Sequence, residues 1–258
     1  MYHVPERRWQ QLTSDADEIN PIWSPNGDRL AFSSDRDGPF NLYVLRPDGE
    51  SRAERLTHAP NWQLPYSWSP DGRFLAYQEQ EGNSWNTWIL PLDGDRKLWR
   101  WGPQGKNVTV PAFSPDGRWV AYQSQETGEN FEVHVRPFPG PGSRQTVSGP
   151  DGGCGPVWSL DGREIMYLAG ADSDNRILAV DVSPGPPLRF TNPHVAFAFP
   201  FAPVSAATVV RLRVFALAPD GRRLVTVRPD PRPAGEIHSL TLIRNWAEEV
   251  KAKVPAPR

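Results

Sequence analysis

The sequence predicts an all-β fold built from repeated antiparallel sheets, and three features of its 258 residues indicate this class. The 29 prolines and 21 glycines interrupt the chain at intervals that leave almost no room for helices. Between these interruptions, apolar and polar residues alternate as they do in β-strands. A turn motif also recurs with a period of about 45 residues, which is typical of propeller blades. We therefore expect a five-bladed β-propeller of four-stranded antiparallel blades.

The repeat is defined by a tight turn that keeps its register with flanking apolar and aromatic positions. Its five copies read WSPNGDRLAF, WSPDGRFLAY, FSPDGRWVAY, WSLDGREIMY and LAPDGRRLVT. Their marker glycines are Gly27, Gly72, Gly117, Gly162 and Gly221, at intervals of 45, 45, 45 and 59 residues. In the second copy, Pro70 presets φ, Asp71 favours the third turn position and Gly72 accepts a left-handed conformation. We interpret the longer last interval as longer loops.

Each repeat supplies four strands, from a first, innermost strand to a fourth, outermost one. The predicted blades comprise residues 19–58, 64–101, 108–148, 155–200 and 210–243 of a single domain, 1–258. Gln11-Leu12-Thr13 matches the fourth-strand segment Arg55-Leu56-Thr57, but no first three strands precede it. Residues 8–13 are therefore predicted to close the fifth blade, because ring closure leaves no exposed sheet edge.

The C-terminal residues predict a short helix instead of a fourth strand. The third strand of the fifth repeat, predicted over residues 237–243, runs into Asn245, which is a good helix N-cap. Trp246, Val250 and Val254 then fall on one helical face.

One aromatic position recurs in the second strand of the first four repeats. It is occupied by Phe32, Tyr77, Tyr122 and Tyr167. Such a row could stack a ligand, but rings of this kind usually fill the core between neighbouring blades. We therefore expect these four side chains to be buried.

The motifs resemble the TolB-type propeller repeat over nearly the whole chain. The resemblance rests on the WSPDGR core, on SDRDG-x-x-NLY at residues 34–43 and on the RLT ending at residues 55–57. TolB itself has a helical N-terminal domain and six blades, which this sequence lacks, so the role and partner of TolB are not carried over. The resemblance implies a binding or sensing domain.

The second half is similar to a narrower group, the C-terminal propeller region of bacterial membrane-anchored serine/threonine kinases. The segments that carry this similarity are FEVHVRPFPGPG, GPVWSLDGREIMYLA, ILAVDV and NWAEEVKAKVP. The sequence contains no HRD or DFG motif and no apolar run long enough to span a membrane. The chain is thus expected to be either a standalone product or the detached C-terminal portion of such a kinase.

Composition restricts the partners and the compartment. The net charge of −2 and the pI of about 6.2 argue against nucleic acid, and we expect neither membrane insertion nor self-association. The first residues lack the apolar core of a signal peptide, which indicates the cytoplasm for the chain as written. A periplasmic or extracytoplasmic location is expected if the chain belongs to a longer membrane-anchored protein. Cys154 is the only cysteine, and we expect it to be a buried small residue rather than a reactive thiol.

Catalytic motifs are absent from the sequence. There is no G-x-S-x-G elbow, no phosphate-binding glycine loop and no metal-ligand spacing among the five histidines. We expect no cofactor and no enzymatic activity. A hydrolase or lyase that uses carboxylates around a central channel stays open as the alternative.

Acidic residues cluster in the loops that precede the first and third strands. The clusters are residues 15–18, 35–37, 79–81 and 172–174. They could bind Ca²⁺ or basic peptides, but aspartate is also favoured in turns for local reasons. We prefer the second interpretation and leave the first open.

The same loops carry aromatic residues, and we expect them to form the binding surface around the channel mouth. Phe40, Trp62 and Trp85 supply rings of the kind that anchors protein partners, but any single one of them could equally well cap a blade. The candidate binding residues are Asp17, Glu18, Asn20, Asp35, Trp62, Trp85, Lys106, Asn107 and Arg211. The predicted function is a non-catalytic scaffold or sensor that presents this loop face to a protein or peptide. The opposite face carries only the short repeated turns.

Overall fold

The computed structural model describes residues 2–3, 8–14, 16–48, 51–128, 130–170, 176–185, 187–198, 215–218, 224–226 and 241–243. Every regular element among them is a β-strand, so the predicted all-β class is confirmed. Within these ranges there is no helix of the length and apolar character that a membrane crossing requires. The predicted C-terminal helix and Arg211 lie outside the described residues.

The first compact unit, residues 1–102, contains two four-stranded antiparallel sheets. The first sheet has the order β3 (Glu18–Trp23), β4 (Leu30–Ser34), β5 (Asn41–Leu45) and β6 (Glu54–Arg55). The second has the order β7 (Gln63–Trp68), β8 (Phe74–Glu81), β9 (Ser84–Pro91) and β10 (Trp99–Arg100). Each strand pairs with the next one along the chain, as the repeat predicts.

The second unit, residues 103–258, holds three further antiparallel sheets. The third sheet consists of β11 (Thr109–Phe113), β12 (Trp119–Ser124), β13 (Glu132–Pro137) and β14 (Gln145–Thr146). The fourth consists of β15 (Gly153–Trp158), β16 (Glu164–Ala169) and β17 (Arg176–Ser183), with β18 (Arg189–Phe190) and β19 (His194–Ala198) both paired to β17. The fifth consists of β20 (Phe215–Leu217), β21 (Leu224–Thr226) and β22 (Thr241–Ile243).

The N-terminal segment forms a short sheet of its own, in which β1 (Tyr2–His3) pairs with β2 (Arg8–Trp9). The described strands show no pairing of residues 8–13 with the fifth sheet. Closure of the fifth blade by this segment and the count of five blades therefore stay predictions. Residues 11–13 nevertheless repeat fourth-strand contacts. Leu12 packs against the hydrophobic cluster within the first sheet. Leu56 packs in a similar way against the hydrophobic cluster between the first and second sheets. The Thr13 hydroxyl donates a hydrogen bond of 2.6 Å to Glu18.

The repeated turn is held by a serine that serves as both donor and acceptor. The Ser69 hydroxyl donates to the Asp71 carboxylate at 2.5 Å and accepts from the Phe74 N–H at 2.9 Å. Gly72 N donates to the Ser69 carbonyl at 2.9 Å, which closes the turn. The same serine–aspartate arrangement surrounds Ser114 and Ser159, and Asn26 replaces the aspartate beside Ser24. The motif is therefore a local hydrogen-bonded unit that precedes the second strand in the first four sheets.

The core lies between neighbouring sheets of each unit. The repeated aromatic position is buried in Phe32, Tyr77, Tyr122 and Tyr167, which confirms their predicted packing role. The tryptophan that precedes a turn also reaches the preceding sheet. Trp68 Nε1 donates to the Ile22 carbonyl at 3.3 Å, and Trp158 Nε1 donates to the Ala112 carbonyl at 3.1 Å. These bonds fix adjacent sheets to each other within a unit.

Candidate binding surface

Two aromatic rings meet at the end of the first two sheets that lies opposite the tight turns. The ring centroids of Phe40 and Trp62 are 5.0 Å apart and the planes cross at 69°, which is a favourable edge-to-face contact. Trp62 is 46% exposed, which is unusual for a large ring, whereas Phe40 is half-buried. We refer to this pair as the aromatic platform.

Backbone hydrogen bonds fix the platform on both sides. Gln63 N donates to the Phe40 carbonyl at 2.8 Å, which joins the two loops that carry the rings. Gln80 N donates to the Trp62 carbonyl at 2.9 Å, which attaches the tryptophan to β8. The exposed ring therefore projects from a backbone that is already ordered.

A buried asparagine orders the loop that leads to Trp62. Asn41 Nδ2 donates to the carbonyls of Ala59 and Asn61 at 3.1 and 3.3 Å. Its Oδ1 accepts from Ala59 N and from Arg55 Nη2, both at 2.8 Å. Because Asn41 is fully buried, these bonds are shielded from water and hold residues 58–62 in one conformation.

The predicted acidic residues of this end have internal partners. Glu18 accepts from Arg36 Nη2 at 2.9 Å, from Thr13 and, at 3.4 Å, from the Ser34 hydroxyl. The Asp35 carboxylate accepts from the backbone N–H of Asp17 at 3.0 Å, which ties the start of β3 to the end of β4. Glu18 and Asp35 thus stabilise the loops, and the side chain of Asp17 lies in solvent.

A group of three side chains, an acid, an aromatic ring and an arginine, recurs near the outer strands of the first two sheets. In the first sheet, the Tyr43 hydroxyl donates to Asp37 at 2.5 Å, and Arg55 Nη1 lies 3.6 Å from the same carboxylate. Burial and the bond to Asp37 raise the pKa of Tyr43 to about 12. In the second sheet, Glu81 accepts from the indole of Trp88 and from Arg100. These two acids therefore contact side chains of the outer strands, a role that differs from the local turn chemistry expected from the sequence.

A cation site is not found among the described parts of the chain, where no group of three or more candidate metal ligands occurs. Glu79, in one of the predicted acidic clusters, accepts from Asn61 Nδ2 at 3.0 Å and from Gln63 Nε2 at 2.7 Å. Asp15 and residues 172–174 lie outside the described residues.

The expectation that Trp85 is an exposed anchor is wrong, because its side chain is only 7% exposed. The pairing of Glu81 with Ser84 leaves Gly82 and Asn83 as a two-residue hairpin turn, so Trp85 belongs to β9 and not to a loop. Two residues that include glycine, set between alternating segments, are a hairpin signal that could have placed Trp85 in a strand.

Two predicted site residues, Asn20 and Asn107, have a positive φ, which is 47° for Asn107. Asn20 has a φ of 53° within the irregular part of β3, between Ile19 and Ile22. Asparagine tolerates this left-handed conformation better than most residues, so Asn20 has a local backbone role. A corresponding bulge occurs in the second unit, where the φ of Val110 is 51°.

Lys106 and Asn107 belong to the second unit and lie together in the loop before β11. Asn107 Nδ2 donates to Gln125 Oε1 at 2.8 Å, and Gln125 N donates to the Lys106 carbonyl at 3.1 Å. The Lys106 side chain is exposed, whereas Asn107 is half-buried. This loop is therefore ordered in the same way as the loop of Trp62, by bonds to the end of the second strand.

Two groups with potential reactivity lie in the second unit, where Cys154 is half-buried and His134 is fully buried. Burial raises the pKa of the Cys154 thiol to about 12, so it is a poor nucleophile near neutral pH, as expected for a structural cysteine. Burial and the Arg144 guanidinium lower the pKa of His134 to about 4. The His134 ring lies 3.2 Å from the Thr146 hydroxyl and contacts Tyr122, so it is part of the packed interior of the third sheet.

The consecutive antiparallel sheets, the repeated turns and the aromatic cores between sheets together define a β-propeller domain. Residues 5–201 match the model of the TolB beta propeller domain, and the chain belongs to this family. TolB-type propellers are in general protein-interaction domains.

Solved structures show the same fold at low sequence identity. TolB from Acinetobacter baumannii aligns with a TM-score of 0.70 and 18% identity, over 92% of this chain and 54% of that one. A protein assigned as TolB from Agrobacterium tumefaciens aligns with a TM-score of 0.58 and 22% identity, over 72% and 67% of the two chains. A periplasmic gluconolactonase from Pseudomonas aeruginosa aligns with a TM-score of 0.51 and 17% identity, over 80% and 63%.

The chain spans about half the length of the A. baumannii TolB. A search of curated proteins found no match. The activities and partners of the structural neighbours are therefore properties of those proteins, because a shared fold does not determine function.

Proposed function

We propose that this chain is a non-catalytic recognition module that binds a protein or peptide partner through the aromatic platform. The observation that carries the proposal is the 46% exposure of Trp62 on a backbone that is hydrogen-bonded on both sides. Large rings are usually buried, and an exposed one on a rigid scaffold is a preferred anchor for a partner.

The ordered loop favours binding because little conformational entropy remains to be lost. The bonds of Asn41 to Ala59 and Asn61 fix the loop before any partner arrives. Ordering of flexible loops otherwise reduces the free energy of association. The exposed Asp17 contributes a polar side chain at the same end of the first unit, as in the polar rim of an interface.

Family membership supports the same proposal at a coarser level. TolB-type propellers usually act as protein-binding scaffolds, and the repeat leaves its loops free to vary on a constant scaffold. The similarity of the second half to kinase-linked propellers favours a sensor role on the extracytoplasmic side of a membrane. In that form of the proposal, the partner is a secreted or cell-wall-associated protein or peptide.

The test is affinity capture from cells of the source organism. Immobilised wild-type protein and the Trp62→Ala variant are incubated with the cell extract, and the retained proteins are quantified by mass spectrometry. We expect a protein that the wild type retains and that Trp62→Ala retains at least tenfold less. Leu160→Ala is the matched control, because Leu160 is an exposed apolar residue at a tight turn, 57% exposed.

The proposal fails if the retained proteins are the same for the wild type and Trp62→Ala. Since one structural neighbour is a gluconolactonase, hydrolysis of simple lactones is assayed in parallel. Turnover by the wild type would contradict the non-catalytic part of the proposal.

A further inference from the structure

A groove between the first two sheets carries a concentration of arginines at the end opposite the aromatic platform. It has a volume of about 270 Å³ and lies beside the tight turn at residues 24–29. The charged residues that line it are Arg29, Arg46, Arg52, Arg96 and Glu54. We refer to it as the arginine groove.

Two of these cations form no direct ion pair among the described residues, although the charge of Arg46 helps to lower the pKa of Asp28. Arg96 Nη1 lies 2.9 Å from Glu54 Oε1, so this pair is internally neutral. Arg46 and Arg52 are exposed and take part in no ion pair of the described chain, in which Glu50 is not included. An exposed guanidinium without a partner is available for a carboxylate or phosphate, which it binds through two parallel hydrogen bonds.

The floor of the groove is apolar. Trp68 lies there at 6% exposure together with Val44, Leu56 and Leu92. The guanidinium carbon of Arg29 is 5.0 Å from the Trp68 ring centre, so this arginine covers the ring, and its Nε lies 3.5 Å from the Asp28 carboxylate. The groove thus combines an apolar floor with cations at its edge.

The corresponding groove of the second unit has the same architecture but no excess charge. It has a volume of about 380 Å³ and is lined by Trp158, Trp119 and Leu188. Each of the turns 116–118 and 161–163 adds one aspartate and one arginine, so the charges of the lining balance. Trp158 replaces Trp68 at its floor, and Trp119 stands at the repeat position of Arg29. Arg118 Nε lies 2.8 Å from Asp116, so one of the two arginines is already paired. The excess of arginine thus distinguishes the groove of the first unit from this groove of the second unit.

We propose that the arginine groove is a second binding site, which takes an acidic peptide segment with an apolar side chain at its centre. Carboxylates of the peptide pair with Arg46 and Arg52, and the apolar side chain contacts Leu56, Leu92 and the covered Trp68. A free inorganic anion would meet the arginines but leave the apolar floor without a partner. The combination of arginine and tryptophan with buried aliphatic residues is characteristic of protein interfaces.

The test uses a panel of short synthetic peptides rich in Glu and Asp, each with one central Leu, Phe or Trp. Their binding to the full chain is measured by fluorescence polarisation. We expect at least one peptide to bind, and the affinity to fall with rising salt concentration. The double variant Arg46→Glu/Arg52→Glu should weaken this binding at least tenfold. Arg118→Glu/Arg163→Glu, in the groove of the second unit, is the matched control and should change it less than twofold.

Three results would overturn the proposal. Binding of none of the peptides excludes the site, and equal binding to both double variants places the peptide elsewhere. Displacement of the peptide by inorganic phosphate at the same concentration identifies a simple anion site. Because all four substituted arginines are exposed or lie at exposed turns, circular dichroism should show both variants folded. Trp62→Ala should leave peptide binding unchanged, so this test is independent of the aromatic platform.

Discussion

Replacement of Ser69 by alanine tests whether the repeated turn is stabilised by its serine hydroxyl. Ser69 is only 3% exposed, and its hydroxyl makes two hydrogen bonds, to the Asp71 carboxylate and from the Phe74 N–H. A net contribution of about 0.5–1.5 kcal/mol for each bond gives an expected loss of about 2 kcal/mol in the free energy of unfolding. For a chain of this size, that corresponds to a decrease of about 4–8 °C in Tm.

The loss of stability in Ser69→Ala should depend on pH, because the partner carboxylate of Asp71 changes its protonation state. Partial burial raises the pKa of Asp71, but the bonds from Ser69 and the Arg73 N–H outweigh it and hold the pKa below 3.8. A carboxylate with a lowered folded-state pKa stabilises the fold above its unfolded pKa, and this contribution is lost as the pH falls through the folded value. The difference between wild type and Ser69→Ala should therefore be full above about pH 5 and smaller below about pH 3.

The assay is urea denaturation followed by tryptophan fluorescence at several pH values. Ser143→Ala is the control, because Ser143 is exposed and its replacement should change stability by less than about 0.5 kcal/mol. The serine hydroxyl does not stabilise the turn in this way if Ser69→Ala is as stable as Ser143→Ala, or if its loss of stability is the same at pH 3 and pH 7.

Other substitutions test separate parts of the structure. Gly27→Ala should destabilise by about 1 kcal/mol in thermal unfolding, because Gly27 has a φ of 73° with open space around it, so that only backbone strain acts. Gly128→Ala, also in open space but without a positive φ, should be neutral or slightly stabilising, and equal effects would contradict the assignment. The pKa of about 4 for His134 predicts that stability is full above pH 6.5 and falls as the pH decreases towards 4, and that His134→Gln removes this part of the pH profile. An unchanged profile would show that His134 does not titrate in this way. Trp85→Ala should lower stability by about 3–5 kcal/mol as a core truncation, and a variant with wild-type stability would contradict its burial.

The fold class and much of the core could be predicted from the sequence because they depend on local periodicity. The turn around Ser69 and Asp71 specifies its own hydrogen bonds within six residues, so the motif alone predicts it. Burial of Tyr77 and Tyr122 follows from alternation in the second strand. These are short-range properties that recur in the first four repeats, with Asn26 in place of the aspartate in the first.

The candidate surface was less predictable because it depends on contacts between loops. Trp62 and Trp68 lie six residues apart, yet one is 46% exposed and the other 6%. The partner of Glu18 is Arg36, and this pairing requires the register of β3 and β4. Trp62 and Trp85 differ because the two-residue turn at Gly82 and Asn83 places Trp85 in β9, and this turn is the one signal in the sequence that separates them.

The arginine groove could not be read from the sequence for the same reason. Arg29, Arg46 and Arg96 come from different connections of two repeats, and no sequence spacing relates them. Their assembly in one groove follows from the packing of the first sheet against the second.

Calorimetric titration of the captured partner shows whether the aromatic platform is the recognition surface. Wild type, Trp62→Ala and Leu160→Ala are each titrated with the purified partner. Loss of an aromatic anchor is worth about 2 kcal/mol or more, so Trp62→Ala should bind about 30-fold more weakly, and Leu160→Ala should bind as the wild type does. Unchanged affinity of Trp62→Ala together with weakened binding of Leu160→Ala would move the site to the turn end and contradict the account.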